Sequence, residues 1–95
     1  MSYELMYIVR PTTDEQALAA VHDKVGKFIT ANGGEILKRD DWGKRRLAYP
    51  IAKLTEGIYS VLQFNLPATA VHELDRSLKL TEELVRFLVT RVESA

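Results

Sequence analysis

Hydrophobic positions alternate with polar ones in some stretches of the chain and recur at helical spacing in others. Residues 3–9 predict a first strand, which Pro11 follows because proline cannot continue a hydrogen-bonded ladder. Capping-box spacing at Thr12 and Thr13 then predicts the start of a helix, and Asn32-Gly33-Gly34 predicts its end. The apolar face of this helix consists of Leu18, Val21, Val25, Phe28 and Ile29.

The second half of the chain predicts three more strands and one more helix. A long strand starts near Glu35, bends at Trp42-Gly43 and reaches Pro50, which places it at a sheet edge because proline cannot donate to a neighbouring strand. Thr55-Glu56-Gly57 predicts a turn, and residues 58–66 predict the third strand. Thr69 is the predicted cap of a second helix that buries Val71, Leu74 and Leu78, and residues 85–92 form the last strand.

The predicted order of elements is β-α-β-β-α-β. Right-handed crossovers place both helices on the same face of the sheet. The expected fold is therefore an α+β, ferredoxin-like split sandwich, with a four-stranded antiparallel sheet and two helices on one face. A chain of 95 residues has the length of one such domain, and we expect residues 1–95 to form it.

Alternation along the strands separates a core side from an open side. The core side is predicted to hold Leu5, Tyr7, Val9, Leu62, Phe64, Leu66, Phe87 and Val89. The open side is predicted to hold Glu4, Met6, Ile8, Tyr59, Val61, Gln63, Arg86, Leu88 and Thr90. More than half of these open-side residues are apolar or aromatic, and a contiguous exposed patch of that kind usually marks a partner site. The alternative is a set of scattered exposed hydrophobic residues, which monomers tolerate.

Charge is balanced over the whole chain, with 13 basic and 13 acidic side chains, but it is unevenly distributed. Residues 38–53 carry six basic side chains against only Asp40 and Asp41. Basic groups next to Trp42 and Tyr49 suit RNA, since cations neutralise phosphates and aromatic rings stack on unpaired bases. The alternative is an edge strand whose charges prevent aggregation.

Residues with catalytic or metal-binding chemistry are few and badly spaced. The chain has no cysteine, and His22 and His72 lie on predicted helices without a third ligand at suitable spacing. Asp14 and Glu15 at the first helix start are interpreted as capping and helix-dipole compensation. The chain is not expected to be an enzyme. No apolar run approaches the length needed to cross a bilayer, so no membrane association is expected.

One segment resembles a known family closely. It reads Trp42-Gly43-Lys44-Arg45-Arg46-Leu47-Ala48-Tyr49-Pro50-Ile51-Ala52-Lys53, and it is similar to the hallmark of bacterial small-subunit ribosomal protein six. The resemblance extends to Glu56-Gly57-Ile58-Tyr59 and to the segment that runs from Leu74 into Leu88. It implies the ferredoxin-like fold and a structural role in the cytoplasmic ribosome. It also implies binding to the central domain of small-subunit ribosomal RNA together with ribosomal protein eighteen, without a cofactor or a small-molecule substrate.

Site residues are predicted by combining this resemblance with the residue pattern. The predicted RNA contacts are Lys44, Arg45, Arg46, Lys53, Arg86 and Arg91. The predicted partner contacts are Met6, Ile8, Trp42, Tyr49, Tyr59, Val61 and Leu88.

Three other functions share this topology. A homodimeric ligand-sensing module would explain the apolar open side but not the basic segment. An RNA-recognition motif would need a basic residue and an aromatic residue where the third strand has Glu56 and Ile58. An acylphosphatase-like enzyme would need a phosphate-cradling loop after the first strand, and Arg10-Pro11-Thr12 supplies no glycine for one.

Overall fold

The structure, a computed structural model, describes residues 2–51 and 53–92. Its elements are β1 (Ser2–Val9), α1 (Glu15–Ala31), β2 (Glu35–Ile51), β3 (Leu54–Asn65), α2 (Ala68–Lys79) and β4 (Leu84–Val92). The strands form one antiparallel sheet in the order β2-β3-β1-β4. This confirms the ferredoxin-like fold and the position of β2 at a sheet edge.

The core lies between the helices and one face of the sheet. Both helices bury their predicted apolar positions there, with Val21, Val25, Ile29, Leu74 and Leu78 at its centre. The sheet contributes its predicted core side: Leu5, Tyr7, Val9, Leu62 and Phe64 are buried, as is Leu66 just after β3. Phe87 and Val89 pack against this cluster at the less covered β4 edge. The assignment of the two sides of the sheet is therefore confirmed.

Both helix starts differ from the predicted threonine caps. Asp14, also interpreted as a capping residue from the sequence, caps α1 in place of Thr12 or Thr13, and its carboxylate accepts a hydrogen bond of 2.8 Å from the amide of Ala17. The amide of Thr13 instead donates to the carbonyl of Arg10 in a preceding turn, which delays the helix. Helix α2 begins at Ala68 after Pro67, so the prediction that Thr69 caps it is wrong. The backbone carbonyl of Pro67 accepts from Ala70 there, and no side chain caps the helix.

The hairpin between β2 and β3 is longer than predicted. Thr55-Glu56-Gly57 is not a turn, because β3 begins at Leu54 and Gly57 pairs with Arg45 within the ladder. The chain reverses between the paired residues Ile51 and Leu54, next to Lys53 with its φ of 66°. Glycine often indicates a turn, but Gly57 is buried inside the sheet, where Ile8 and Leu47 pack too closely to leave room for a side chain.

A polar cluster joins helix α1 to three strands. The hydroxyl of Tyr7 shares a hydrogen bond with Nδ1 of His22, and Nε2 of His22 lies 3.8 Å from the carboxylate of Asp41. That carboxylate also accepts hydrogen bonds from Ser60 and Arg39. Buried polar groups are expensive unless they are hydrogen-bonded, so these bonds tie α1 to β1 and β2 to β3, and they place the Asp41 carboxylate beside His22.

Burial and charge shift the titration of this cluster. Burial raises the pKa of Tyr7 to about 12. Burial also lowers the pKa of His22, and the nearby Arg39 cation acts in the same direction while Asp41 opposes it. Burial disfavours ionised Asp41, but the hydrogen bond and charge of Arg39 outweigh that effect and lower the Asp41 pKa. The folded chain therefore holds His22 neutral and Asp41 ionised near neutral pH.

This titration predicts a loss of stability in mild acid. The unfolded chain protonates His22 near its ordinary pKa of about 6.5, whereas the folded chain does so only at lower pH. The free energy of unfolding should therefore fall as the pH drops below about 6.5, and His22→Gln should remove this contribution. Urea denaturation at several pH values between about 7 and 5 measures it. A difference between wild type and variant that stays constant over this range would contradict the prediction.

Candidate partner and RNA interface

The open side of the sheet is organised in rows across the four strands. The pairing register places Asp40, Val61, Met6 and Leu88 in one row. The next row contains Gly43, Tyr59, Ile8 and Arg86. Neighbouring strands are about 4.8 Å apart, so side chains within a row contact one another. The structure thus brings together the predicted open-side residues from all three predicted strands.

These open-side residues are not equally accessible. The side chain of Leu88 is exposed, and Met6 and Tyr59 are partly exposed. Ile8 and Val61, by contrast, are only 2% and 8% exposed, so they lie beneath the surface and present little area to a partner. The accessible apolar surface therefore lies on either side of them.

An aromatic pair forms the β2 end of the open side. A bulge in β2 leaves Trp42 between Asp41 and Gly43 without a partner residue on β3, and Gly43 adopts a φ of 75°. Trp42 consequently lies over Tyr59, with ring centroids 6.2 Å apart and ring planes 9° from parallel. Trp42 is half exposed. The bend predicted at Trp42-Gly43 is this bulge, which directs the indole onto the open side.

The end of the β2–β3 hairpin crosses the open side. Leu47 is buried, and its Cδ2 would lie 3.6 Å from a Cβ placed on Gly57. That same Cβ would collide with Cγ2 of Ile8, so the absence of a side chain at Gly57 allows the strands to pack this closely. Beyond Leu47, the hydroxyl of Tyr49 accepts a hydrogen bond of 2.5 Å from Nη1 of Arg86 on β4. The hairpin end therefore covers Ile8 and reaches the opposite edge strand.

The three consecutive basic residues do not form a single patch. Arg45 is opposite Gly57 on the open side, where its Nε donates to the carbonyl of Trp42 at 3.1 Å. Lys44 and Arg46 alternate with it and project to the helix side of the sheet. Of the other predicted RNA contacts, Lys53 is exposed at the hairpin turn, Arg86 is on the open side, and Arg91 is exposed on the helix side.

Asp40 and Asp41 of β2 neutralise the first two cations of this strand. Lys38 lies 3.7 Å from Asp40, and Arg39 lies 3.3 Å from Asp41. Within residues 2–51 and 53–92, none of the six predicted RNA-contacting cations forms an ion pair. The positive charge of β2 is therefore concentrated beyond the Trp42 bulge, towards the hairpin turn.

The described residues contain neither a metal-binding cluster nor a membrane-spanning helix. No group of three histidine, cysteine, aspartate or glutamate side chains comes together there as a metal site would require. Neither of the two helices has both the length and the apolar character needed to cross a membrane.

Comparison with known proteins identifies the family. The family model described as ribosomal protein S6 matches residues 2–91. The chain belongs to this family. The resemblance carried by residues 42–53 is thereby confirmed. As a member, the chain has a structural role in the bacterial small ribosomal subunit, within the cytoplasmic ribosome, and is not an enzyme. Family membership also selects the ribosomal interpretation over the ligand-sensing module, the RNA-recognition motif and the acylphosphatase-like enzyme.

Individual relatives match over nearly their whole length. Small ribosomal subunit protein bS6 of Symbiobacterium thermophilum is 49% identical over 89 residues, which cover 94% of each chain. The protein of the same name from Desulfitobacterium hafniense is 42% identical over 92 residues, or 97% of each chain. A crystal structure of 30S ribosomal protein S6 from Thermotoga maritima superposes with a TM-score of 0.91 at 32% identity, covering 96% of this chain and 86% of that one.

The packing at Gly57 yields a prediction about stability. Gly57→Ala should lower the free energy of unfolding by about 1–3 kcal/mol, because the added methyl group collides with the buried, β-branched Ile8. Gly26→Ala is the matched control: it lies inside α1 and should stabilise the chain by up to about 1 kcal/mol. Urea denaturation compares the two variants. If Gly57→Ala changed the free energy of unfolding no more unfavourably than Gly26→Ala, Ile8 and the hairpin would have moved to make room for the methyl group, and the prediction would be wrong.

Proposed function

We propose that this chain binds the central domain of small-subunit ribosomal RNA together with ribosomal protein eighteen. The protein partner would cover the accessible apolar residues of the open side, and RNA would contact the cations of the hairpin end and of β4. One observation carries the proposal: an accessible apolar surface lies directly beside cations that have no acidic partner among the described residues.

The open side suits a protein partner. Leu88 is 51% exposed and Trp42 is 50% exposed, while Met6 and Tyr59 lie between them in the register. Large aromatic and apolar side chains at the centre of a surface, with polar groups around them, are typical of protein interfaces. Lys38 and Glu4 occupy the adjoining row and supply such a polar border. Ile8 and Val61 would act mainly by supporting this surface from below.

The hairpin end and β4 suit RNA. Arg45, Lys53 and Arg86 are exposed, and arginine binds phosphate through several N–H groups at once. Because the net charge of the chain is zero, its long-range attraction for RNA is weak. We therefore expect tight RNA binding only when ribosomal protein eighteen is also bound, since that protein would add RNA contacts that this chain lacks.

A titration tests the proposal. The purified chain is mixed with an RNA fragment of the small-subunit central domain, with and without ribosomal protein eighteen, at two salt concentrations. Tight binding that weakens with salt and requires the second protein is the expected result, because phosphate contacts release counterions. Absence of RNA binding under all conditions would refute the proposal and leave the structural ribosomal role unexplained by this surface.

The protein interface is tested by charge insertion. Leu88→Glu should leave folding nearly unchanged, because the side chain is exposed, but should weaken binding to ribosomal protein eighteen at least about tenfold by burying a carboxylate. Leu80→Glu is the matched control, since Leu80 is 75% exposed at the end of α2 and away from the open side. Calorimetric titration of each variant measures the effect. Equal weakening by both substitutions, or none by Leu88→Glu, would place the partner elsewhere.

A further inference from the structure

We infer that Arg45 and Arg86 form the two ends of one phosphate-binding strip across the open side, and that Tyr49, which follows Arg45 on the same hairpin, is the positioning residue of Arg86. The ligand of this strip is the phosphodiester backbone of RNA. The inference rests on the proposed RNA binding and deepens it, because it identifies which cations act together and what holds them in place.

The two arginines belong to opposite edges of the sheet. Arg45 is on β2 and Arg86 is on β4, and three strand spacings of about 4.8 Å place these strands roughly 14 Å apart. The hairpin end spans this gap, because Tyr49 of β2 contacts the guanidinium of Arg86 directly. The cations of the hairpin and of β4 therefore lie on one continuous surface.

The contacts that hold these arginines leave their charge intact. Arg45 donates to the backbone carbonyl of Trp42, and Arg86 donates to the hydroxyl of Tyr49. Both acceptors are neutral. Arg39 on the helix side shows the opposite arrangement, since it donates to the carboxylate of Asp41 and is neutralised by it. A neutral acceptor orients a guanidinium without competing with a phosphate for its charge.

Each guanidinium also keeps donors for a ligand. An arginine has five N–H donors, and each of these two uses one of them in the contact described. Fixing the side chain before RNA arrives removes part of the cost of ordering it on binding. The arrangement is therefore suited to phosphate recognition at both ends of the strip.

The position of the hairpin end does not depend on the tyrosine hydroxyl alone. Leu47 is buried against the sheet near Gly57, which anchors the hairpin two residues before Tyr49. Removing the hydroxyl should leave the hairpin in place and release only the guanidinium of Arg86. This separation makes the positioning role testable without unfolding the chain.

The test is a double-mutant cycle on RNA affinity, measured with ribosomal protein eighteen present at two salt concentrations. Tyr49→Phe should weaken RNA binding about two- to tenfold, as expected for one lost hydrogen bond, and should leave the salt dependence nearly unchanged because the charge remains. Arg86→Ala should weaken it further and reduce the salt slope by about one. The double variant should bind no more weakly than Arg86→Ala.

Thr30→Val is the control for the loss of a hydroxyl. Thr30 is exposed on α1, on the helix side of the sheet, where its hydroxyl donates a hydrogen bond of 3.2 Å to the carbonyl of Gly26. The variant should bind RNA like the wild type, and urea denaturation should show all variants equally folded. In the free chain, the NMR signals of the Arg86 guanidinium should show faster rotation in Tyr49→Phe than in wild type or Thr30→Val.

Each contrary outcome has a distinct meaning. If the wild-type chain binds RNA and the Tyr49→Phe variant binds it equally tightly, the inference is overturned and the proposed function stays intact. Additive effects in the double variant would also overturn it, because Tyr49 would then act independently of Arg86. A wild-type chain that fails to bind RNA even with ribosomal protein eighteen would instead refute the proposed function.

Discussion

The close packing of Gly57, Ile8 and Leu47 determines how the long β2–β3 hairpin lies on the sheet. Gly57 presents no side chain, so Ile8 of β1 and Leu47 of β2 can meet over it. An exposed hairpin of two strands is only marginally stable in water, and burial of Leu47 supplies the apolar contact that this one needs. Because the hairpin end is held in this way, Tyr49 reaches Arg86 and the two edges of the sheet form one surface.

The bulge at Trp42 divides β2 into a first half with paired charges and, within the described residues, a second half with unpaired cations. Before the bulge, Asp40 and Asp41 pair with the neighbouring Lys38 and Arg39, and the Asp41 carboxylate lies 3.8 Å from Nε2 of His22 on α1. After the bulge, the cations have no acidic partner among the described residues. One strand thus carries two kinds of charge: the cations of its first half are paired with aspartates of the same strand, and those of its second half form no ion pair with the described residues. A net charge of zero is compatible with this because residues 42–53 contain no acidic side chain and the 13 acidic residues lie elsewhere in the chain.

The open side combines apolar and basic surface within one register. The rows that contain Leu88 and Arg86 are adjacent, so a protein bound to the exposed apolar side chains and RNA bound to Arg86 would touch each other. Such an arrangement explains how a weakly charged chain could contribute to a specific ribonucleoprotein site, since neither ligand alone would bury the whole surface.

The sequence by itself determined the order of the elements, the two sides of the sheet and the family. Periodicity depends on local geometry, and the side chains of Leu5, Tyr7 and Val9 could be assigned to the core because strands alternate. Only the tertiary structure distinguished a glycine in a turn from a glycine in a closely packed strand. Gly57 lies in a segment with the local signature of a turn, but it needs to be glycine because a side chain there would collide with Ile8, distant in sequence. It also decided that Lys44 and Arg46 project away from Arg45 and that Tyr49 contacts Arg86, 37 residues away. These features depend on register and on long-range contacts, which no local pattern encodes.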